Sequence, residues 1–218
     1  MRKNNFNFHF NHDIIRPTGR VRRYSMNKHH VNTKQLIMEK AGSLFMTKGY
    51  NGVSVNDICK EAGVSKGSLY HHFQSKEQLL LDVIEEDAKK WQKKWEHLTK
   101  SRQLATEQLV LLAEHYAEDF QNPLSTALEE FARSQVITEE ILAKITSINE
   151  VTLQACRSVI KKGMEQGEFQ NRNLEDTVLI VSSTLEGLGK IYYTNNKKEN
   201  KRIYRQAVQL LLDGLSTH

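Results

Sequence analysis

Residues 63–80, GVSKGSLYHHFQSKEQLL, bring a glycine, a tyrosine and two adjacent histidines into one short segment. A histidine pair can bind a metal ion, but His71 and His72 would point about 100° apart on a helix, which is poor geometry for chelation. The two cysteines, Cys59 and Cys156, are far apart and lack the paired spacing of a zinc site. The sequence therefore predicts no metal site and no cofactor.

Catalytic motifs are also missing from the sequence. The run GLGK at 187–190 lacks the spacing of a phosphate-binding loop, and no nucleophile elbow occurs. Cys59 has the size and position of a small buried hydrophobic residue, so we do not expect a reactive thiol there. We therefore expect that the protein is not an enzyme.

A helical wheel suggests another chemistry for the histidine-containing segment. On a helix that begins after Ser65, Leu69 and Phe73 define the buried side. Gly67 and His71 fall almost opposite them, so the exposed face is small, polar and aromatic. A helix that is only solvated would usually carry Glu and Lys there, whereas this composition favours a helix that enters the major groove of DNA. An ordinary surface helix is the alternative.

The side chains at the edges of this face also suit DNA. Ser68 and Tyr70 offer hydrogen bonds to bases or sugars, and Gly67 allows the backbone to approach closely. Lys66 stands at the helix N-terminus, where phosphate is also attracted. His72 lies nearer the buried side, so it is either hydrogen-bonded within the domain or in contact with a phosphate.

Capping residues place this helix in a helix-turn-helix at residues 54–73. Ser54 is predicted to cap the preceding helix with Asp57 as its capping-box partner, and Gly63 to end it. A turn that contains glycine between two short helices is typical of the motif. Lys76, in the first turn of the next helix, would then suit a flanking phosphate.

The rest of the chain predicts an all-α protein of about nine helices. Only two prolines and eleven glycines occur in 218 residues, and apolar residues recur at three- and four-residue steps from about residue 32. Besides the helix-turn-helix, helices are predicted at 32–48, 75–98, 102–121, 123–133, 138–166, 173–193 and 200–216. No apolar run is long enough to span a bilayer, so we expect a cytoplasmic protein.

Positive charge is concentrated towards the N-terminus. Residues 1–80 contain 13 Lys or Arg and 5 Asp or Glu, whereas residues 81–218 contain 18 Lys or Arg and 21 Asp or Glu. A basic end suggests a polyanionic partner, but residues 1–34 alone hold 8 of these basic groups, so charge does not decide the matter.

Residues 1–30 show no helical or strand period. We expect either a disordered basic arm or a segment that does not belong to the mature protein. If Arg22 and Arg23 are encoded AGG-AGG, they would resemble a ribosome-binding site and translation would begin at Met26. The codons in the gene test this hypothesis.

The segment GYNGVSVNDICKEAGVSKGSLYHHFQSKEQLLLDVI resembles the DNA-binding domain of the tetracycline-repressor (TetR) family of transcriptional regulators. The likeness covers residues 32–85 and implies an all-helical homodimer that binds a pseudo-palindromic operator. Together with the wheel, it predicts DNA contacts from Ser54, Val55, Ser65, Lys66, Gly67, Ser68, Tyr70, His71, His72 and Lys76. The expected organisation is an arm at 1–30, a DNA-binding domain at 31–85 and a helical effector-binding and dimerisation domain at 86–218.

By the same resemblance, the helices at 173–193 and 200–216 would form the dimer interface. Their apolar faces could equally be monomer core; they carry Val178, Val181, Leu185, Leu188, Ala207, Val208, Leu211 and Leu212. An effector pocket would lie among the fourth to eighth helices. Its candidate residues, each of which core packing or surface exposure could also explain, are Trp91, Trp95, His115, Tyr116, Phe120, Phe131, Met164 and Glu186.

These observations predict a repressor that a small-molecule effector releases from its operator. The alternative is a protein of the same fold that binds DNA but acts through protein partners, for example in nucleoid organisation, without an effector.

Overall fold

The computed structural model describes residues 32–119, 122–191 and 196–215. The predicted arm at 1–30 and the candidate pocket residue Phe120 lie outside these residues. So do the predicted C-terminal ends of the helices at 102–121, 173–193 and 200–216.

Nine α-helices and no strand make up the part of the chain that the structure describes, which confirms the all-α prediction. In chain order they are α1 (Thr33–Lys48), α2 (Val55–Ala62), α3 (Lys66–His72), α4 (Lys76–Thr99), α5 (Ala105–Glu118), α6 (Pro123–Ser134), α7 (Glu139–Glu165), α8 (Leu174–Ile191) and α9 (Lys197–Leu215). Over the same residues, no helix is both long enough and apolar enough to cross a membrane.

Local capping sets the boundaries of α2 and α3. Ser54 accepts the backbone N–H of Asp57, and the Asp57 carboxylate accepts the backbone N–H of Ser54, which completes the predicted capping box. Gly63 ends α2 in the left-handed region, at φ 65°. Ser65 caps α3 by accepting the backbone N–H of Ser68. Because all these partners lie within three residues of one another, the sequence was sufficient to predict them.

The start of α5 depends on a distant residue instead. Glu168, in the connection between α7 and α8, accepts the backbone N–H of Ala105 at 2.8 Å and that of Thr106 at 3.0 Å. Leu104 at the N-cap position provides no side-chain cap. This helix begins at Ala105, later than the predicted residue 102, since its cap comes from another element.

The apolar residues form two cores. The first joins α1–α4 to α6 and α7, which contribute Leu124, Ala127, Phe131 and Ile148. The second begins with Trp95 on α4 and is built mainly from α5, α7, α8 and α9. The first core therefore extends past residue 85, where the sequence placed a domain boundary, because α6 packs against the N-terminal helices.

The apolar faces assigned to a dimer interface point into the second core. Their buried members are Val178, Val181, Leu185, Val208 and Leu212, and Leu188, Ala207 and Leu211 are half-buried. The other faces of α8 and α9 expose Leu179, Ile180 and Leu210, at 62%, 58% and 68%. The named residues therefore fit the second alternative of the sequence analysis, monomer core, and a dimer interface on α8 and α9 stays a prediction.

A close contact between α7 and the following connection provides a test of the second core. A Cβ added at Gly163 would lie 2.1 Å from Cδ2 of Phe169, whose side chain is only 1% exposed. Gly163→Ala is therefore expected to lower the free energy of unfolding by about 1–3 kcal/mol, measured by urea denaturation.

Gly67→Ala is the matched control for this substitution. The nearest atom to a Cβ at position 67 is Oγ of Ser65, at 3.8 Å, so alanine fits there and should be neutral or stabilising. Equal unfolding free energies for wild type and Gly163→Ala would contradict the packing.

Candidate nucleic-acid interface and ligand pocket

One face of helix α3 packs in the first core, and the opposite face is exposed. Leu69 and Phe73 are 0% and 1% exposed in the first core. Gly67 and His71 are exposed on the opposite side, and Tyr70 exposes 51% of its surface. This is the orientation that the helical wheel predicted.

The other predicted contact residues lie around the helix N-termini. Ser54 and Ser65, the caps of α2 and α3, are exposed, as is Lys66 at the first position of α3. Val55 and Ser68 are half-buried. The structure thus brings these residues onto the surface that surrounds the exposed face of α3.

The two adjacent histidines differ in their surroundings. His71 is exposed and His72 is half-buried, and their ring centroids lie 5.1 Å apart, edge to face. His72 also lies edge to face with Phe73, at 6.4 Å. The phosphate contact of His72 stays a prediction. No group of three His, Cys, Asp or Glu is placed to hold a metal ion anywhere in the described ranges.

Lys76 makes contacts that the sequence did not predict. Its ammonium donates to the carbonyl oxygens of Tyr50, at 3.1 Å, and Val53, at 3.0 Å, and lies 3.8 Å from the centroid of the Tyr50 ring. Burial lowers the pKa of this ammonium. The next residue, Glu77, accepts the Tyr50 hydroxyl at 2.6 Å. These partners are more than 20 residues away in sequence, so no local pattern indicated them.

A small cavity of about 180 Å³ lies between α4 and α5. Its aromatic wall is Trp91, whose ring stacks on His115 with centroids 4.2 Å apart. Nε2 of His115 lies 3.0 Å from the carbonyl oxygen of Trp91 and must carry the proton, since a carbonyl only accepts. The Nδ1 atom is then a buried acceptor without a hydrogen-bond partner. Burial also lowers the pKa of His115, which favours the neutral form of the ring.

Carboxylates form the other side of the cavity. The side-chain amide of Asn122 donates to Asp87 at 2.7 Å and to Asp119 at 3.1 Å. Asp119 as a whole is exposed, but protein atoms crowd its carboxylate and the Asp87 carboxylate is near. Both effects raise the pKa of Asp119 to about 6. The remaining lining residues are Lys90, Lys94 and Glu118.

Four of the predicted pocket residues come together here. Trp91 and His115 line the cavity, Tyr116 packs edge to face on Trp91 at 5.6 Å, and the Trp95 ring lies 6.2 Å from that of His115. The three carboxylates were missed. Asp87 precedes Trp91 by four residues, and Glu118 and Asp119 follow His115 by three and four, so helical spacing was the signal that could have found them.

Three further predicted pocket residues, Phe131, Met164 and Glu186, do not line this cavity. Phe131 belongs to the first core, where its ring packs edge to face on Tyr50 at 5.2 Å. Met164 is half-buried against the second core, and Glu186 is exposed on α8. The structure therefore does not place Phe131 with the aromatic wall, because α6 packs on the N-terminal helices.

Two family models match the chain. Residues 37–83 match "Bacterial regulatory proteins, tetR family", and residues 87–217, more than half of the chain, match "QacR-like protein, C-terminal region". The transcriptional regulator QacR of Staphylococcus aureus is 27% identical over 187 residues, which cover 85% of this chain and all of QacR. The fatty acid metabolism regulator protein of Bacillus subtilis is 28% identical over 185 residues, 82% of this chain and 93% of the relative.

Solved structures share the fold. The regulator FadR of Bacillus subtilis, solved in complex with stearoyl-CoA, superposes with a TM-score of 0.70 at 21% identity over 84% of this chain and 99% of FadR. A transcriptional regulator from Saccharomonospora viridis, solved in complex with choline, has a TM-score of 0.71 at 21% identity, over 85% of this chain and 98% of that one.

The carboxylate of Asp119 predicts an unusual pH dependence. Its pKa is raised from 3.8 to about 6, so the native state binds this proton more tightly than the unfolded state does. As pH rises from about 4 to about 6, ionisation of Asp119 therefore progressively lowers the free energy of unfolding. Asp119→Asn, which can still accept from Asn122, should be more stable than wild type at pH 7, with the difference vanishing near pH 4 in denaturation series.

Glu118→Gln is the matched control, and it should change the free energy of unfolding in the opposite direction. Hydrogen bonds from Lys201 and Lys94 lower the pKa of Glu118 to about 2, so its carboxylate stabilises the native state above about pH 4.5 and less as pH falls towards 2. This variant should be less stable than wild type at neutral pH. A pH-independent effect of Asp119→Asn would contradict the assignment.

Proposed function

This chain belongs to the TetR family of DNA-binding transcriptional regulators, and on that premise we propose that it is a homodimeric repressor released from its operator by a small-molecule effector. The proposal places it in the bacterial cytoplasm, associated with the nucleoid when bound to DNA. Its relatives named above are regulators, and no catalytic role is proposed.

The exposed face of α3 is the observation that carries the proposal. Gly67 has no structural reason within the chain to be glycine, because an added Cβ would meet nothing closer than 3.8 Å. Glycine there costs helix stability, so its use fits a close approach by an external partner. With Tyr70 and His71 exposed beside it, the partner that fits is the floor of a major groove.

The surrounding N-termini would hold the DNA backbone. Lys66 is an exposed cation at the start of α3, and the first N–H groups of α2 and α3 suit phosphate oxygens. The operator contacts that we propose are Ser54, Val55, Ser65, Lys66, Gly67, Ser68, Tyr70, His71 and His72.

The exposed apolar residues of α8 and α9 support a homodimer. Leu179, Ile180 and Leu210 each expose more than half of their surface. A second copy of the chain would cover this face, and two copies of α3 would then read two half-sites of a palindrome.

The cavity between α4 and α5 is the effector site in this proposal. The Trp91 ring, which stacks on His115, and the carboxylates of Asp87 and Asp119 suit an organic cation. Choline, bound by the Saccharomonospora neighbour, is of that class, whereas the stearoyl-CoA bound by FadR is an anion. An effector here would act on α4, which also packs in the first core.

Operator selection followed by ligand release tests the proposal. Duplexes enriched from a random library should be palindromic and bind two chains. Benzyltrimethylammonium, as the cationic probe, should release the bound duplex, and stearoyl-CoA should not. Trp91→Leu should lose the response. Tight operator binding that neither ligand changes would instead favour a DNA-binding protein that acts through protein partners.

Tyr70→Ala tests the assignment of α3 to the groove. The substitution should weaken operator binding by about 1–3 kcal/mol and leave the far-UV circular dichroism unchanged, because half of the side chain is exposed. Leu142→Ala, which truncates an exposed apolar residue on α7, is the matched control and should bind as wild type does. Unchanged binding by Tyr70→Ala would remove this helix from the groove.

A further inference from the structure

The connection between α1 and α2, residues 49–53, decides where α2 begins. The side chains of Tyr50 and Val53 are each 1% exposed in the first core. Ser54, the capping residue of α2, follows Val53 directly. Any group that holds this connection therefore also sets the position of the α2 N-terminus.

Lys76 holds the connection from the first position of α4. An ammonium has three N–H donors, and two of these bind the carbonyl oxygens of Tyr50 and Val53 at 3.1 and 3.0 Å. The charge also lies over the Tyr50 ring, 3.8 Å from its centroid. The lysine thus contacts both ends of one short turn.

Glu77 binds the side-chain hydroxyl of the same tyrosine. Its carboxylate accepts the Tyr50 hydroxyl at 2.6 Å, while the Phe131 ring packs against the edge of Tyr50 at 5.2 Å. Tyr50 is therefore fixed at its carbonyl, its ring and its hydroxyl. These contacts connect the start of α4 to the turn that leads into α2.

The surroundings of Lys76 are poor for a phosphate. It lines an open groove of about 610 Å³, and the acidic residues Asp57 and Glu77 line the same groove beside the proposed operator contacts Ser54, Val55 and Tyr70. Lys76 is the only Lys or Arg among the lining residues. A phosphate there would face two carboxylates and a cation whose charge is already shared by carbonyls and a ring.

We propose that Lys76 is a positioning residue for operator binding, which holds the α1–α2 connection against α4 and does not neutralise a phosphate. Lys76 thereby preserves the spacing between the N-terminus of α2 and the exposed face of α3, because α4 follows α3 after only three residues. This inference rests on the proposed operator surface and replaces the phosphate contact that the sequence predicted for Lys76.

Amide hydrogen exchange of the free protein tests the positioning directly. Lys76→Met keeps the length and apolar stem of the side chain but removes the donors and the charge. Exchange at residues 50–58 should become faster, while exchange in α9 should match wild type. Equal exchange rates at residues 50–58 in the wild type and Lys76→Met would overturn the proposal, whatever the result of the operator-binding measurements.

The salt dependence of operator binding separates positioning from phosphate contact. On the selected duplex, Lys76→Met should bind about tenfold more weakly or worse, with an unchanged slope of log K against log salt. Lys66→Met is the matched control and should lower the slope by about one. A slope lowered by about one for Lys76→Met would overturn the proposal.

A second variant covers the case in which Lys76→Met does not fold. Lys76→Gln keeps N–H donors without the charge, so it should bind the operator with the wild-type slope, and a lowered slope would again overturn the proposal. If the wild-type protein binds no selected duplex, the proposed function fails, and the exchange measurement still decides whether Lys76 holds the α1–α2 connection.

Discussion

A buried tyrosine connects the elements that position α3. Tyr50 packs on Phe45 of α1, with ring centroids 6.2 Å apart, and on Phe131 of α6. Its hydroxyl and carbonyl are held by Glu77 and Lys76 at the start of α4. Burying a phenol and an ammonium is unfavourable unless each is hydrogen-bonded, so these partners make the arrangement possible.

Helix α4 passes from this cluster to the cavity between α4 and α5. Its first turns bury Leu79, Leu80 and Val83 in the first core, and Trp91, about two turns after Val83, forms the aromatic wall of the cavity. Lys144 of α7 forms an ion pair with Glu85 on the same helix. In the proposed mechanism, a ligand in the cavity would act on α2 and α3 through α4, provided that it favours one position of α4 over another.

Long-range contacts limited what could be predicted. The α2 capping box, the glycine that ends α2 and the buried side of α3 were all predictable, because each depends on residues within one or two turns. The cap of α5 by Glu168 was not, because it joins residues more than 60 positions apart. Helical spacing could have placed Asp87 beside Trp91 and the other two carboxylates beside His115, but only the packing of α4 on α5 brings the two sets together.

The last two helices show the same limit in another form. Apolar residues occur on both sides of α8 and α9, and hydrophobic periodicity alone does not tell which side meets the chain's own core. The contacts with α5 and α7 decide this, and they leave Leu179, Ile180 and Leu210 outside.

The sequence by itself determined the class of fold, the helix-turn-helix and the orientation of α3. Helix periodicity and capping depend only on residues within one or two turns of each other. Only the tertiary structure decided that Lys76 contacts the α1–α2 connection, that α6 joins the first core and which side of α8 is exposed. Those features depend on which helices pack together, and packing brings into contact residues whose separation along the chain carries no local signal.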